Sequence, residues 1–264
     1  MQASQYCQDS QLVRAILWDV DGTLAETERD GHLVAMNAAF AEFDVPWRWN
    51  EQRYGELLRV AGGYERLLFD MQSQPLAPAT QDERNALARR IHLRKNELYT
   101  ALVDRGALPL RPGVRELFDE CTAEGVRMAI VTTTSQGNVA ALLRAHLGAQ
   151  WRERFAAVVC AEDAPAKKPD PLAYTVALER LRLNGNEVIA IEDSAMGLVA
   201  ATAVGIPVVI TRSLYFANDA VPGALAVGPT LGTRSDWEPA PSSALHTGCI
   251  GLADLRAWRE QRGA

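Results

Sequence analysis

Acidic side chains follow two short apolar segments in this sequence. Asp19 and Asp21 come directly after the segment RAILW, and Glu192 and Asp193 come directly after VIAI. A carboxylate can attack phosphorus and form an acyl phosphate, which divides one difficult displacement into two easier ones. Carboxylate oxygens are also ligands that Mg²⁺ accepts, usually together with waters and a substrate phosphate. These residue types are therefore those that phosphoryl transfer requires.

Hydroxyl groups and a lysine follow two further apolar segments. Thr132 and Thr133 begin the run TTTS after the segment MAIV, and Lys168 lies beyond the segment AVVC, ahead of a helical pattern. A hydroxyl and an ammonium can hold the oxygens of a phosphoryl group and offset the charge that develops on them. Thr132, Thr133 and Lys168 are thus the predicted phosphate-binding residues.

The spacing of the carboxylates suggests a role for each. We predict Asp19 as the nucleophile and Asp21, two residues away, as the group that protonates the leaving oxygen and then activates water. Asp19, Glu192 and Asp193 are predicted to hold Mg²⁺. None of these patterns is specific when taken alone, because Asp, Gly and Thr are common in turns. Their occurrence together, each after a strand-like segment, favours a catalytic site.

The elements that must position these residues can be predicted from the apolar pattern. Short segments that are apolar on both faces are typical of buried strands in a parallel sheet, and helical patterns lie between them. This alternation predicts an α/β fold with a doubly wound parallel sheet, in which ligands bind beyond the carboxyl ends of the strands. The predicted strands are residues 14–18, 128–131, 157–160, 188–191 and 207–210, and the predicted helices of this core are residues 114–124, 138–147, 171–181 and 195–204.

Residues 27–103 interrupt the alternation. They contain amphipathic helical patterns at residues 37–43, 54–58 and 81–102 but no buried-strand segment. We therefore predict a helical cap domain at 27–103, inserted into a catalytic core formed by residues 1–26 and 104–264. The segment 228–248 is rich in Pro, Ser, Thr and Gly and is predicted to be irregular.

Four motifs in order, WDVDGT, AIVTT, KKPDP and IEDSAMG, resemble those of the haloacid dehalogenase-type hydrolases. The resemblance implies a Rossmannoid core, the nucleophile and acid/base given above, and Mg²⁺ as the cofactor. It also implies that the backbone carbonyl of Asp21 is a metal ligand and that Thr132 and Lys168 bind phosphate. A cap inserted after the first motif resembles that of the β-phosphoglucomutase-like subfamily.

A narrower resemblance, carried by DGTLAETERDGH, YGELL, LRPG and TTTS, is to the CbbY-type xylulose-1,5-bisphosphate phosphatases. It implies that Glu26 and residues of the cap contact the sugar. In that family a lysine follows the paired glycines, whereas Tyr64 stands here, which leaves Arg59 or Arg66 to pair with a second phosphate. The predicted cap contacts are His32, Tyr54, Arg59, Gly62, Gly63 and Arg66.

Two of these cap residues have a second interpretation. His32 is expected either to orient Asp21 or to contact substrate, and a solvated helix histidine is the alternative. Tyr54, with Trp47 and Trp49, is more typical of a cap core than of a platform for a sugar.

Four functions remain open at this point. The first is a sugar phosphatase, with xylulose 1,5-bisphosphate hydrolysed to xylulose 5-phosphate, and the second is a β-phosphoglucomutase-type mutase. The third is a phosphoglycolate phosphatase, and the fourth is a phosphosugar-binding regulator without turnover. Thr23 favours a phosphatase over a mutase, and the presence of both Asp19 and Asp21 argues against a regulator.

Composition excludes several other classes of protein. The net charge of -6 and pI near 5.3 argue against a nucleic-acid partner. The four cysteines show no metal-ligand spacing. The amino terminus lacks the apolar stretch of a signal peptide, and no apolar run approaches the roughly 20 residues of a membrane span. We expect a cytoplasmic monomer that acts on a small sugar phosphate.

Overall fold

Six strands form one sheet in the computed structural model, which describes residues 13–241 and 248–263. They are β1 (Ala15–Trp18), β2 (Arg127–Val131), β3 (Ala157–Val159), β4 (Val188–Glu192), β5 (Val208–Thr211) and β6 (Ala226–Gly228). Their order is β3-β2-β1-β4-β5-β6, and every neighbouring pair is parallel. The carboxyl ends of all the strands therefore meet at one edge, with β1 between β2 and β4.

Helices connect these strands and occupy the long segment between β1 and β2. A π-helix (Glu28–Leu33) opens that segment, and short 3-10 helices lie at Trp151–Arg154 and Gly185–Glu187. The α-helices are α1 (Val34–Glu42), α2 (Glu51–Leu57), α3 (Gly63–Met71), α4 (Gln81–Asp104), α5 (Val114–Ala123), α6 (Gln136–Leu147), α7 (Leu172–Leu181), α8 (Ala195–Thr202) and α9 (Leu252–Gly263).

Both faces of the sheet are covered by helices. Successive side chains of a strand point to opposite faces. Ile16 and Trp18 belong to a buried cluster with apolar residues of α5, α6 and α9, whereas Ala15 and Leu17 belong to a second cluster with α7 and α8. Burial on both sides explains why these strands are apolar throughout instead of alternating. The predicted doubly wound α/β fold is confirmed.

The helices between β1 and β2 enclose a third buried cluster. Trp47 and Trp49 both pack edge-to-face on Phe40, with ring centroids 5.8 and 5.2 Å apart. Tyr54 belongs to the same cluster, so these aromatic residues form the cap core that the sequence suggested. The carboxyl-terminal part of α4 contributes Tyr99 to the core cluster instead. The long helix α4 thus joins the cap to the core.

Asp70 is a buried polar junction of the cap. Its carboxylate accepts hydrogen bonds from Trp49 Nε1 (2.6 Å), Arg53 Nη2 (2.5 Å) and Gln74 Nε2 (2.6 Å). We expect Asp70→Ala to lower the free energy of unfolding by roughly 3 kcal/mol, because it leaves the buried Nε1–H of Trp49 unpaired and removes the carboxylate that Arg53 contacts. Urea denaturation measures this. The exposed Glu97→Ala serves as the control and should leave the midpoint unchanged; equal losses in both variants would contradict the prediction.

Six elements were not predicted from the sequence, namely α3, β6, α9, the π-helix and the two 3-10 helices. Helix α3 begins at the paired glycines, where Gly62 adopts a φ of 91° that suits glycine, and paired glycines ordinarily indicate a loop. Strand β6 has three residues and α9 lies close to the end of the chain. All the core strands and helices that were predicted are present, and their ends differ from the predicted ends by at most two residues.

The irregular segment predicted at 228–248 lies only partly within the described residues. Residues 229–241 contain no helix or strand apart from an isolated bridge between Val227 and Glu238, and residues 242–247 lie outside the described part. The predictions for the amino terminus, residues 1–12, fall outside it as well. Within residues 13–241 and 248–263, no helix combines the length and the apolar character that crossing a membrane requires.

Candidate active site

Lys168 joins the ends of the three central strands. It is buried, and its ammonium donates to Asp19 Oδ1 (2.7 Å), to Glu192 Oε1 (2.6 Å) and to the carbonyl of Val131 (2.8 Å). Asp19 immediately follows β1, Val131 ends β2 and Glu192 ends β4. The parallel topology therefore places the predicted nucleophile within reach of a fixed positive charge.

The charges at this edge do not balance. Burial raises the pKa of Asp19 to about 7, although Lys168 opposes the shift. Burial, together with the charges of Asp19 and Glu192, raises the pKa of Asp193 well above its usual value. Burial lowers the pKa of Lys168, but the neighbouring carboxylates outweigh it and raise that pKa. Lys168 pairs with Asp19 and Glu192, and the charge of Arg111 offsets that of Asp193 only in part, so the site favours an additional cation.

The carboxylates are arranged as a cation would need them. Ligand oxygens of Asp19, Glu192 and Asp193 all lie within 4.8 Å of one another. Asp193 Oδ2 is buried and has no hydrogen-bond partner among residues 13–241 and 248–263. Glu192 Oε1, in contrast, already accepts from Lys168 and from Tyr174 (2.6 Å). Hard oxygen donors that include an unsatisfied buried oxygen fit Mg²⁺. Of the two carboxylates after β4, that of Asp193 is the more available as a metal ligand.

Asp21 is held by two hydrogen bonds from the start of the cap. Its Oδ1 accepts from Thr27 Oγ1 (2.5 Å) and lies 3.0 Å from His32 Nε2. Burial alone would raise the pKa of Asp21, but the interaction with His32 and the hydrogen bond from Thr27 lower it to about 2. Asp21 is thus an ionised carboxylate in this arrangement, the form that accepts a proton.

His32 connects Asp21 to a second buried lysine. His32 Nδ1 lies 2.9 Å from Lys95 Nζ, and both side chains are buried. Burial lowers the pKa of Lys95 to about 8, in opposition to the charges of Asp21 and Glu28. Because the Lys95 ammonium can only donate, Nδ1 is the acceptor and the ring proton lies on Nε2, which donates it to Asp21 in a hydrogen bond. The contact with Asp21 is the one that the first predicted role of His32 requires, and His32 also lines the cavity described next.

A narrow cavity of about 110 Å³ lies between the cap and the core beside Asp21. Its lining mixes cations, carboxylates and uncharged polar groups, without large apolar side chains. Such a cavity suits a small, hydroxylated and charged ligand. Predicted site residues in its lining are Asp21, His32, Gly62, Gly63, Arg66 and Thr133.

Asp19, Lys168, Glu192 and Asp193, described above at the strand ends, lie outside this lining, and so do four further predicted residues. Thr132 is buried and accepts from the backbone N–H of Thr134 (3.2 Å). Tyr54 donates to Glu28 and accepts from Arg66 Nη1 (3.0 Å), and both of these partners line the cavity. Arg59 is exposed in the turn after α2.

Glu26 is the fourth. Its Oε1 lies 3.5 Å from Arg111 Nε, and its Oε2 accepts from the N–H of Leu214 (3.4 Å). Both partners belong to loops at the edge of the sheet, so Glu26 connects the start of the cap to the core.

Sequence reasoning missed two lysines that line the cavity. Lys95 stands in the helical stretch RKNE, which resembles an ordinary solvated helix face. Lys167 stands beside Lys168 and pairs with Glu65 of the cap (2.6 Å). Lys95 is turned inward by the packing of α4 against the π-helix, and Lys167 by its contact with the cap. The one usable signal was the doubling of lysine in KKPDP.

Comparison with known proteins identifies relatives of this chain. A family model of haloacid dehalogenase-like hydrolases matches residues 13–205. Protein CbbY, encoded on a plasmid of Cupriavidus necator, is 45% identical over 246 residues, which cover 93% of this chain and 96% of that protein. Protein CbbY of Cereibacter sphaeroides is 38% identical, with 81% and 90% covered.

Solved structures give the same result. A crystal structure of mutant CbbY from Rhodobacter sphaeroides in complex with xylulose-(1,5)bisphosphate has a TM-score of 0.81 and 35% identity, and the match covers 92% of this chain and 99% of that one. The phosphate complex of CbbY from Rhodobacter sphaeroides has a TM-score of 0.80 at the same identity.

Proposed function

Because the chain belongs to the haloacid dehalogenase-like hydrolases and is a phosphatase, we propose that it hydrolyses a sugar phosphate through an aspartyl-phosphate on Asp19. We propose further that Mg²⁺ is the cofactor and that the substrate is xylulose 1,5-bisphosphate, converted to xylulose 5-phosphate. The observation that carries the reaction class is Lys168, hydrogen-bonded to both Asp19 and Glu192 beside the unsatisfied oxygen of Asp193.

The reaction would proceed in two steps. Asp19 attacks phosphorus, and the sugar oxygen leaves with a proton from Asp21, whose pKa an incoming phosphate dianion would raise. The proton that Asp21 gives in this step is one that it takes up from solvent as the phosphate dianion binds. Asp21 then takes a proton from water, which attacks the phosphorus of the acyl phosphate, releases phosphate and regenerates Asp19. Lys168 offsets the charge that develops on the phosphoryl oxygens.

The metal would be held by Asp19, Asp193 and the backbone carbonyl of Asp21, with Glu192 close by. When bound, Mg²⁺ would supply the positive charge that lets a phosphate dianion approach three carboxylates.

Two observations support a bisphosphate. The relative with a TM-score of 0.81 was crystallised with xylulose-(1,5)bisphosphate. In addition, Arg66, Lys95 and Lys167 all line the cavity, and a second phosphate needs cations at the end of the substrate remote from Asp19. Tyr64, which stands where the family has a lysine, lines the same cavity as these three cations.

A comparison of two arginines tests this arrangement. Arg66→Ala is expected to lower kcat/KM for xylulose 1,5-bisphosphate by about 10- to 100-fold, because a guanidinium that can bind phosphate is lost. Arg59→Ala makes the same change at an exposed position and serves as the matched control. Both variants should hydrolyse p-nitrophenyl phosphate like the wild type. If Arg66→Ala changes kcat/KM by the same factor for both substrates, the cap does not bind a second phosphate.

A phosphate-release screen tests the substrate itself. It should include xylulose 1,5-bisphosphate, ribulose 1,5-bisphosphate, phosphoglycolate and glucose 1-phosphate. Xylulose 1,5-bisphosphate is expected to give the highest kcat/KM. Interconversion of glucose phosphates with little phosphate release would establish a mutase instead, and a preference for phosphoglycolate would remove the role assigned to the cap cations.

A further inference from the structure

Arg111 lies where the two linkers between cap and core cross. The first linker, residues 22–27, leads from the nucleophile loop to the π-helix, and the second, residues 105–113, leads from α4 to α5. The backbone N–H of Arg111 donates to the carbonyl of Leu24 (2.7 Å). The side chain of Arg111 is only 8% exposed, so a permanently charged group is buried at this crossing.

The guanidinium of Arg111 joins three loops at the edge of the sheet. Nη1 donates to the carbonyl of Gly22 after β1 and to the carbonyl of Thr211 at the end of β5 (3.0 Å). Nη2 donates to the carbonyls of Arg212 (2.6 Å) and Pro229 (2.7 Å). Backbone carbonyls thus satisfy Nη1 and Nη2, and Nε lies 3.5 Å from the carboxylate of Glu26. Burying a guanidinium costs free energy, and a side chain that only filled space would not need the charge.

The backbone that Arg111 holds lies against the candidate metal site. Gly22 has a φ of +83°, and a Cβ at this position would overlap the carboxylate of Asp193. The preceding peptide carries the carbonyl of Asp21, the implied metal ligand. A shift of the Gly22 backbone would therefore change the separation between that carbonyl and Asp193.

We propose that Arg111 is a positioning residue for the metal site, which holds the Gly22 backbone against Asp193 and so fixes the spacing of two metal ligands. The inference rests on the proposed function, because it requires that Mg²⁺ binds there. Arg111 is the arginine of the LRPG motif, and the proposed phosphatase reaction gives this arginine no role of its own.

Calorimetric titration of Mg²⁺ into the intact protein, without substrate, tests this role. Arg111→Lys keeps the charge but cannot reach all of these carbonyls at once, and it should raise the dissociation constant of Mg²⁺ by about 10-fold. The matched control is Arg234→Lys, because Arg234 donates to both oxygens of Asp254 in α9 (2.7 and 2.8 Å). That variant should lower the melting temperature and leave the Mg²⁺ affinity within about twofold of wild type.

The outcomes separate this inference from the proposed function. If Arg111→Lys loses thermal stability like the control and binds Mg²⁺ as tightly as the wild type, Arg111 is only a structural residue. If the wild type itself does not bind Mg²⁺, the proposed function fails and this inference fails with it.

A second variant is used if Arg111→Lys does not fold. Thr211→Val removes the hydroxyl that accepts from Arg111 Nη1 (3.2 Å). An affinity about twofold weaker would support the role, and unchanged affinity would overturn it.

Discussion

Asp19→Asn is expected to lower kcat by about 10⁴-fold or more, the scale on which removal of a nucleophile acts in covalent enzymes. The amide preserves the shape of the side chain and the contact with Lys168, but its oxygen is not a competent nucleophile toward phosphorus. Phosphate release measures the loss. Asp119→Asn, in which an exposed carboxylate paired with Arg154 is changed, is the control and should keep full activity.

Trapping the aspartyl-phosphate tests the same mechanism more directly. p-Nitrophenyl phosphate has a leaving group that departs without a proton, so the first step does not need Asp21. Asp21→Asn should therefore release about one equivalent of p-nitrophenol per enzyme and stop, because no base then activates water. The phosphoryl group should be recovered on the protein after acid quenching, and Asp19→Asn should show none. Appreciable steady phosphate release by Asp19→Asn would exclude an aspartyl-phosphate mechanism.

The catalytic edge could be predicted because the topology of the sheet leaves little freedom there. Once five apolar segments were interpreted as parallel strands, the residues after them had to meet at one edge. Asp19 and Glu192 meet there through Lys168, as the hydrogen bonds show. No knowledge of side-chain packing was needed, since strand order and direction already determine which residues are neighbours.

The cap side of the cavity could not be predicted in the same way. Lys95 lies in a charged helical stretch, and it is buried because α4 packs against the π-helix that carries His32. Arg66 appeared equivalent to Arg59 in the sequence, yet one lines the cavity and the other is exposed. These differences depend on how the helices between β1 and β2 pack against one another, and hydrophobic periodicity carries no information about that contact.

Mg²⁺ dependence is expected to reside mainly in Asp193. Asp193→Asn should reduce activity by at least about 100-fold, or require a correspondingly higher Mg²⁺ concentration, and excess EDTA should abolish wild-type activity. Glu192→Gln is the informative contrast, because Glu192 is bound to Lys168 and Tyr174. That variant should lower kcat through a displaced Lys168 while changing the Mg²⁺ midpoint less. Full wild-type activity in EDTA would refute a metal mechanism.

Thermal unfolding gives a reading of the same site that does not depend on activity. A carboxyl group whose pKa is higher in the folded than in the unfolded protein destabilises the fold once the pH exceeds its unfolded value. Burial and the charges of Asp19 and Glu192 place Asp193 in this class. In EDTA at neutral pH, Asp193→Asn should therefore melt at a higher temperature than the wild type, because one of three crowded negative charges is gone. Added Mg²⁺ should raise the melting temperature of the wild type and not that of the variant. If the variant melts lower in EDTA and still responds to Mg²⁺, Asp193 is a structural residue and the cation binds elsewhere.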